Sequence, residues 1–402
     1  MMNNELLQTL IIFFVLGLVS LNALTYYSNK IMLFPDIIWI LLLGLLYSGL
    51  SHYAIIDIPQ VSLDADFILY AFVPLLIFAS TQKICLFHLK KVLLPSSIIA
   101  SFGILISMLI IAVPLFGIFD FGWLESLLFG AIISATDPLA VGALLHHNKS
   151  VAESQKLLIE GESILNDGFV VTIFGILGIV IFTDADFNII HSGLDAIKHI
   201  LGALAFGLLI GRLARWVLDR WHEEHFTLTV NITLAAAYGS FFFSEMLGLS
   251  GILSVFAAAL AYGYKPKPRS HNKGAHTHVW DYFEYIANAV LFFMLGASFF
   301  VYFSLQEVSV ILIFVSMLLL ILSRLGALTL LYPLIKVDGK KLVKKDFLML
   351  NFSGARGAVS IALILLLPNE FVYKSTFLSL AFLMIFASLI VYPLLIKRIL
   401  MK

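Results

Sequence analysis

The sequence predicts an all-α polytopic membrane protein of about thirteen transmembrane helices, and three observations lead there. First, 61% of the 402 residues are hydrophobic and only 12% are charged, with a mean hydropathy of +1.01. Soluble chains carry about 45–50% apolar and 25% charged residues, and no water-soluble core hides the excess. Second, the apolar residues gather into long continuous runs, most of them near the ~20 residues that carry a helix across a bilayer. A strand barrel would instead alternate apolar and polar residues over about ten positions. The spans are therefore helices, which satisfy their own backbone groups. Third, the basic residues lie almost entirely on one side of the predicted spans.

The runs cover roughly 5–27, 31–50, 67–86, 92–118, 122–145, 154–182, 194–217, 226–246, 249–263, 279–303, 308–333, 345–367 and 374–396. The ninth is short, and its join to the eighth, "EMLGLSGI", is tight. With the N-terminus outside, the inside loops hold 21 of the 25 Lys and Arg residues, from Lys30 through the Lys336–Lys345 cluster to Lys402. Lys198 and Lys374 fall outside, and Arg324 and Arg356 lie within spans. Lys and Arg bias sets orientation, so the N-terminus is expected outside and the C-terminus in the cytoplasm. Residues 1–402 read as one transmembrane domain with no soluble C-terminal domain. "MMNNELLQTL" lacks the basic start of a signal peptide and reads as part of a retained helix. An odd span count places segments 1–6 and 8–13 in opposite senses, as inverted repeats over about 5–182 and 226–396.

The composition also excludes partners. A net charge of zero argues against nucleic acid, and a single cysteine, Cys85, forms neither an internal disulfide nor a metal cluster. No cofactor is expected.

Three spans carry polar residues near their middles. The fifth, "SLLFGAIISATDPLAVGALL", has Thr136, Asp137 and Pro138. The sixth, "LLIEGESILNDGFVVTIFGILGIVIF", has Asn166 and Asp167. The twelfth, "FLMLNFSGARGAVSIALILLL", has Ser353, Gly354, Arg356, Gly357 and Ser360. Ionisable residues at such depth cost about 2.5–3.5 kcal/mol each and mark ion or substrate paths. Pro138 breaks the fifth span, and Gly354 and Gly357 weaken the twelfth on either side of Arg356. Each is fifth in its half, and paired discontinuous helices point to a transporter's binding site.

Ser163 and Asp167 are four apart and share one helix face; Glu162 and Asn166 share an adjacent one. The first face offers oxygen ligands to a hard cation such as sodium, with Thr136 as a further donor and Asp137 behind it. The second is structural, with Arg356 as the expected partner of Glu162. A carboxyl in an apolar setting holds its proton until a cation displaces it, so proton and cation compete for one site. With Asn166 rather than a second acid beside Asp167, one proton exchanges for one cation, without net charge movement.

Blander readings stand beside these. Asp167 could be an ion-pair partner, and Asp137 before a proline is also a capping residue. Glu162 with Arg356 reads as a pair that fixes geometry. Glu160 reads as an interfacial helix-start carboxylate, and Glu284 as either a funnel residue or a solvated one. Arg324 is buried with no partner evident in the sequence. His271, His276 and His278 read as loop histidines, solvated or sensing pH.

"SATDPLAVGALL", "EGESILNDG", "FSGARGAVSIAL" and "NAVLFFMLGASF" resemble, in type, order and spacing, the monovalent cation:proton antiporters of the NhaP/NHE type. The resemblance implies an NhaA-like fold with crossed discontinuous helices. It further implies a homodimer in the plasma (inner) membrane, each protomer carrying its ion by an elevator-like movement. It assigns sodium or proton binding to Asp167, helped by Ser163 and Thr136, with Asn166, Glu162 and Arg356 holding the crossing in shape. One departure stands out. Many relatives carry an acid in the third segment, where "VPLLIFASTQK" has Ala79. Sodium or lithium exchange leads, with potassium/proton exchange as the alternative. An intramembrane aspartyl protease using Asp137 and Asp167 is a distant one, since no Gly-x-Gly-Asp accompanies them.

Overall fold

The computed structural model describes residues 36–53, 65–83, 91–137, 145, 151–182, 189–221, 226–263, 273–303, 308–337 and 339–401. The first predicted segment, Pro138 and His271 lie outside the described residues. In chain order the helices are α1 (Asp36–His52), α2 (Ala65–Ala71), α3 (Val73–Thr81), α4 (Leu93–Ile98), α5 (Ile104–Phe119) and α6 (Trp123–Ser134). They continue as α7 (Glu153–Phe182), α8 (Ile189–Arg220), α9 (Phe226–Met246), α10 (Gly251–Gly263), α11 (Lys273–Ala297), α12 (Phe299–Tyr302) and α13 (Val310–Leu331). A two-stranded hairpin, β1 (Lys336–Val337) and β2 (Lys340–Lys341), precedes α14 (Lys344–Phe352), α15 (Ala358–Leu365) and α16 (Lys374–Leu400).

The all-α membrane architecture is as the sequence predicts. Among the described residues, six helices are long and apolar enough to span a bilayer alone. Several others are shorter because the chain interrupts them. The twelfth segment unwinds between α14 and α15, at Ser353–Gly357. The fifth leaves helical geometry at Ala135, whose ψ is 138°. The third bends only locally at Phe72, whose backbone stays right-handed helical (φ −108°, ψ −34°) and keeps its Ile68 and Leu76 hydrogen bonds at 3.0 and 2.8 Å. Pro74 lies in the first turn of α3, and nearby the Ala71 carbonyl accepts from the Tyr238 hydroxyl at 2.7 Å. The fourth segment carries a π-helical turn at Ile99–Gly103 between α4 and α5. The tenth begins earlier than expected, at Lys273, so His276 and His278 are helical rather than loop residues. His276 is buried beside Thr233, and His278 is exposed.

Lipid tails are as apolar as leucine, so helix association here depends on close packing rather than on expulsion of water. α8 and α10 meet through Gly207 and Gly211, one turn apart. A Cβ on either would stand 2.1 Å from the carbonyl oxygen of Ser254 or Ala258. α1 and α11 approach as closely at Gly44 and Gly296. The tight join before α10 is closed by Glu245, whose Oε1 accepts from the Gly251 amide at 2.7 Å. That bond satisfies one of the donors every helix start leaves over.

Gly211→Leu should push α8 off α10 and lower the thermal unfolding midpoint in detergent by several degrees. Gly175→Ala, in α7 where a Cβ meets nothing within 4 Å, should leave the midpoint unchanged or slightly raised.

Candidate functional site

The two interrupted segments cross where both are unwound. The Asp137 amide donates to the Ala355 carbonyl at 2.7 Å, joining the chains backbone to backbone. Gly357 admits the contact, since a Cβ there would stand 2.1 Å from Cβ of Asp137 and 2.2 Å from its Oδ2. The Asp137 carboxylate therefore lies at the start of α15, where a helix dipole favours negative charge.

Each half-helix that ends at the crossing leaves carbonyls without intrahelical partners. In a membrane these need partners from the protein. Arg356, buried, donates from Nη1 to the Ser134 and Ala135 carbonyls at 3.0 and 3.3 Å, at the end of α6. The Ser360 hydroxyl donates to Ile132 O at 2.7 Å, in the last turn of α6. Arg324 does the same for α14, donating to the Leu350 and Asn351 carbonyls at 3.0 and 3.2 Å. The Arg356 amide donates to the Ser388 hydroxyl of α16 at 3.0 Å.

Glu162 does not pair with Arg356 as the sequence reading expected. Its two oxygens take a bidentate pair of hydrogen bonds from Arg324, both at 3.0 Å, in an almost fully buried setting. Arg324 reaches Glu162 and the end of α14 together, whereas Arg356 turns toward the end of α6. Both arginines and the acid are visible in the sequence as buried charges. Only the packing of α13 against the crossing selects the partner.

Asn166 completes the network. Its amide nitrogen donates to Glu162 Oε1 and to Thr136 Oγ1, each at 3.1 Å. The Thr136 hydroxyl lies 3.4 Å from Glu162 Oε1. Ser163 donates to the Thr136 carbonyl at 2.6 Å. Thr136, Glu162, Ser163 and Asn166, all buried, thus lock α7 to the unwound end of α6. Beside them lies a small cavity lined by Ser107, Ser134, Glu162, Asn166, Arg324 and Arg356. It has room for about one water molecule. The π-helical turn forms its opposite wall through Ile99 and Gly103.

Asp167 stands apart. It is half-buried, and among the described residues no hydrogen bond or ion pair ends on its carboxyl group. Asp137, Glu162 and Glu284 are the carboxylates within its electrostatic reach. Of the residues read from the sequence as cation ligands, Ser163 keeps both hydroxyl lone pairs after its single donated bond. Thr136 has its hydroxyl in the Glu162–Asn166 network and its carbonyl on Ser163. Glu160 is half-buried within α7 rather than at its start. Ala79 is fully buried in the apolar core.

A family model described as "Sodium/hydrogen exchanger, transmembrane" matches residues 10–402. The chain is 27% identical over 410 residues to the Na(+)/H(+) antiporter NhaH of Halobacillus dabanensis, covering 96% of each. It is 30% identical over 348 residues to the Na(+)/H(+) antiporter NhaG of Bacillus atrophaeus, covering 83% of this chain and 63% of that one. Among solved structures, that of the sodium proton antiporter MjNhaP1 from Methanocaldococcus jannaschii at pH 8 superposes with a TM-score of 0.72. It is 20% identical and covers 98% of this chain and 100% of that one, a likeness of fold.

The Glu162–Arg324 pair generates a stability prediction independent of transport. Arg324→Met should destabilise the protein by about 3–5 kcal/mol, because Glu162 is left charged and buried. Adding Glu162→Leu should recover part of that loss. Denaturation of the single and double variants in detergent measures both; a strictly additive pair would refute the coupling.

Proposed function

The chain belongs to the sodium/hydrogen exchanger family, and on that premise we propose that it is a secondary active antiporter exchanging sodium or lithium for protons at Asp167. The observation that carries this reading is a half-buried carboxyl group with no ion pair or hydrogen bond among the described residues, set beside a crossing whose own carboxylate, Glu162, is held by Arg324. A structural carboxylate at such depth would be paired, as Glu162 is. One without a partner is open to a proton or a cation in turn. The relatives named above are antiporters, and the protein is not an enzyme.

The remaining steps follow from charge. Glu162 is committed to Arg324, and Asn166 beside Asp167 contributes an amide that carries no charge. One carboxylate then alternates between proton and cation, which makes the exchange electroneutral. A bare, charged Asp167 is disfavoured in low dielectric, so the loaded forms cross and the empty one does not. Ser163 supplies a second oxygen, and Thr136 and Asp137 support the site through the crossing. Asn166, Glu162 and Arg356 hold its shape, and Pro138, Gly354 and Gly357 break the helices around it.

The same reading places the protein as a homodimer in the plasma (inner) membrane, N-terminus outside and C-terminus in the cytoplasm. Each protomer would be built from inverted repeats, and a mobile core would move by alternating access.

In proteoliposomes under an imposed pH gradient, Asp167→Asn should reduce sodium-driven proton movement to the leak rate. Persistence at the normal rate would refute the assignment. Parallel assays with sodium, lithium and potassium decide the cation. Clamping the membrane potential at different values should leave the exchange rate unchanged; a voltage-dependent rate would exclude electroneutrality.

A further inference from the structure

We propose that Lys83 sets the cation affinity of the protein, by holding a tethered ammonium on the carboxylates of Asp281 and Glu284 along one approach to Asp167. The inference rests on the exchange reading above.

Lys83 directly follows the last turn of α3. Its Nζ lies 2.7 Å from Asp281 Oδ1 and also contacts Glu284 Oε2, both on α11. The three groups form a gradient of exposure. The Lys83 and Asp281 side chains are 40% and 46% exposed, while that of Glu284 is 11% exposed. The carboxylates therefore run from an exposed end into the protein, and Glu284 is within electrostatic reach of Asp167. The helices that carry them lie against the site, since α3 packs on α7 and α11 on α15.

Polar side chains that flank this cluster along the two helices carry atoms left unused among the described residues. Thr81 Oγ1, both side-chain polar atoms of Gln82, and Asn288 Oδ1 are buried and have no hydrogen-bond partner among the described residues. Asn288 is one turn beyond Glu284 and donates its amide to the Glu284 carbonyl at 2.9 Å. Unpartnered buried amide and hydroxyl oxygens are unfavourable in a purely structural contact. They are hard oxygen donors of the kind a monovalent cation accepts in place of water. Ala79, one turn before Lys83 and packed in the core, contributes no charge.

A mobile cation entering here meets two carboxylates already shared with one ammonium. Lys83 thereby acts as a fixed competitor, lowering the negative potential that would otherwise concentrate cations at the exposed end. Removing its charge leaves both carboxylates uncompensated.

The test is the initial rate of exchange against sodium concentration, using the full chain in proteoliposomes. Lys83→Gln should lower the sodium KM by about three- to tenfold with kcat nearly unchanged. The difference should shrink when ionic strength is raised with a choline salt. Lys83→Arg should keep the original KM, and Glu284→Gln should raise it. If Lys83→Gln does not fold, the Glu284→Gln result decides alone. An unchanged KM in the charge-removing variants, or a lowered kcat and stability at constant KM, would mean that the cluster only clasps α3 to α11. That outcome overturns this proposal and leaves the exchange reading standing. A protein that exchanges no cation in any variant overturns both.

Discussion

Unwinding a helix inside a membrane exposes peptide groups to a medium that offers them no partner. The rest of the site depends on how this chain meets that constraint. Two arginines from different segments cap the two helix ends that stop at the crossing: Arg356 on α6 and Arg324 on α14. A guanidinium suits the task, because it presents several donors in a fixed plane and stays charged when buried. Its charge also complements the negative end of a helix. Serines do the finer work at Ile132 and at the Thr136 carbonyl. The crossing is thus a polar joint whose backbone is bonded from both sides.

Against that joint, the state of Asp167 stands out. Glu162 is almost fully buried, yet it is bonded by Arg324 and Asn166. Asp167, five positions along the same helix, faces a different direction and meets none of these donors. One helix thereby separates two tasks that conflict. A carboxylate that fixes structure has to be satisfied at all times. A carboxylate that trades one ion for another has to be satisfied only by its cargo. The spacing of Glu162 and Asn166 against Ser163 and Asp167 keeps the two apart.

Much of this was legible in the sequence. Continuous apolar runs gave the helical spans, since only a helix satisfies every backbone group along such a run. α7 begins one residue before the predicted sixth segment and ends with it. Breaks in the fifth and twelfth segments were expected from Pro138 and the glycines around Arg356, because those residue types disfavour a regular helix, and the described chain leaves helical geometry at Ala135 and over Ser353–Gly357. The bend in the third segment at Phe72 is not among the expected breaks, and Tyr238, which bonds the Ala71 carbonyl beside it, comes from a distant helix. The π-helical turn at Ile99–Gly103 has no comparable marker, as Ile, Ala, Ser and Phe fit an α-helix about as well.

The sequence by itself determined the spans, the places where they break, and the residue types that gather at membrane depth. Those follow from local chemistry: backbone satisfaction, proline and glycine geometry, and the cost of a charge in hydrocarbon. Only the tertiary structure decided the partners. It gave Glu162 to Arg324 rather than Arg356, set Asp137 against Gly357, drew Lys83 onto Asp281 and Glu284, and left Asp167 without a bond among the described residues. Pairing depends on which faces of distant helices meet, and helical periodicity fixes a residue's face without fixing what lies opposite it.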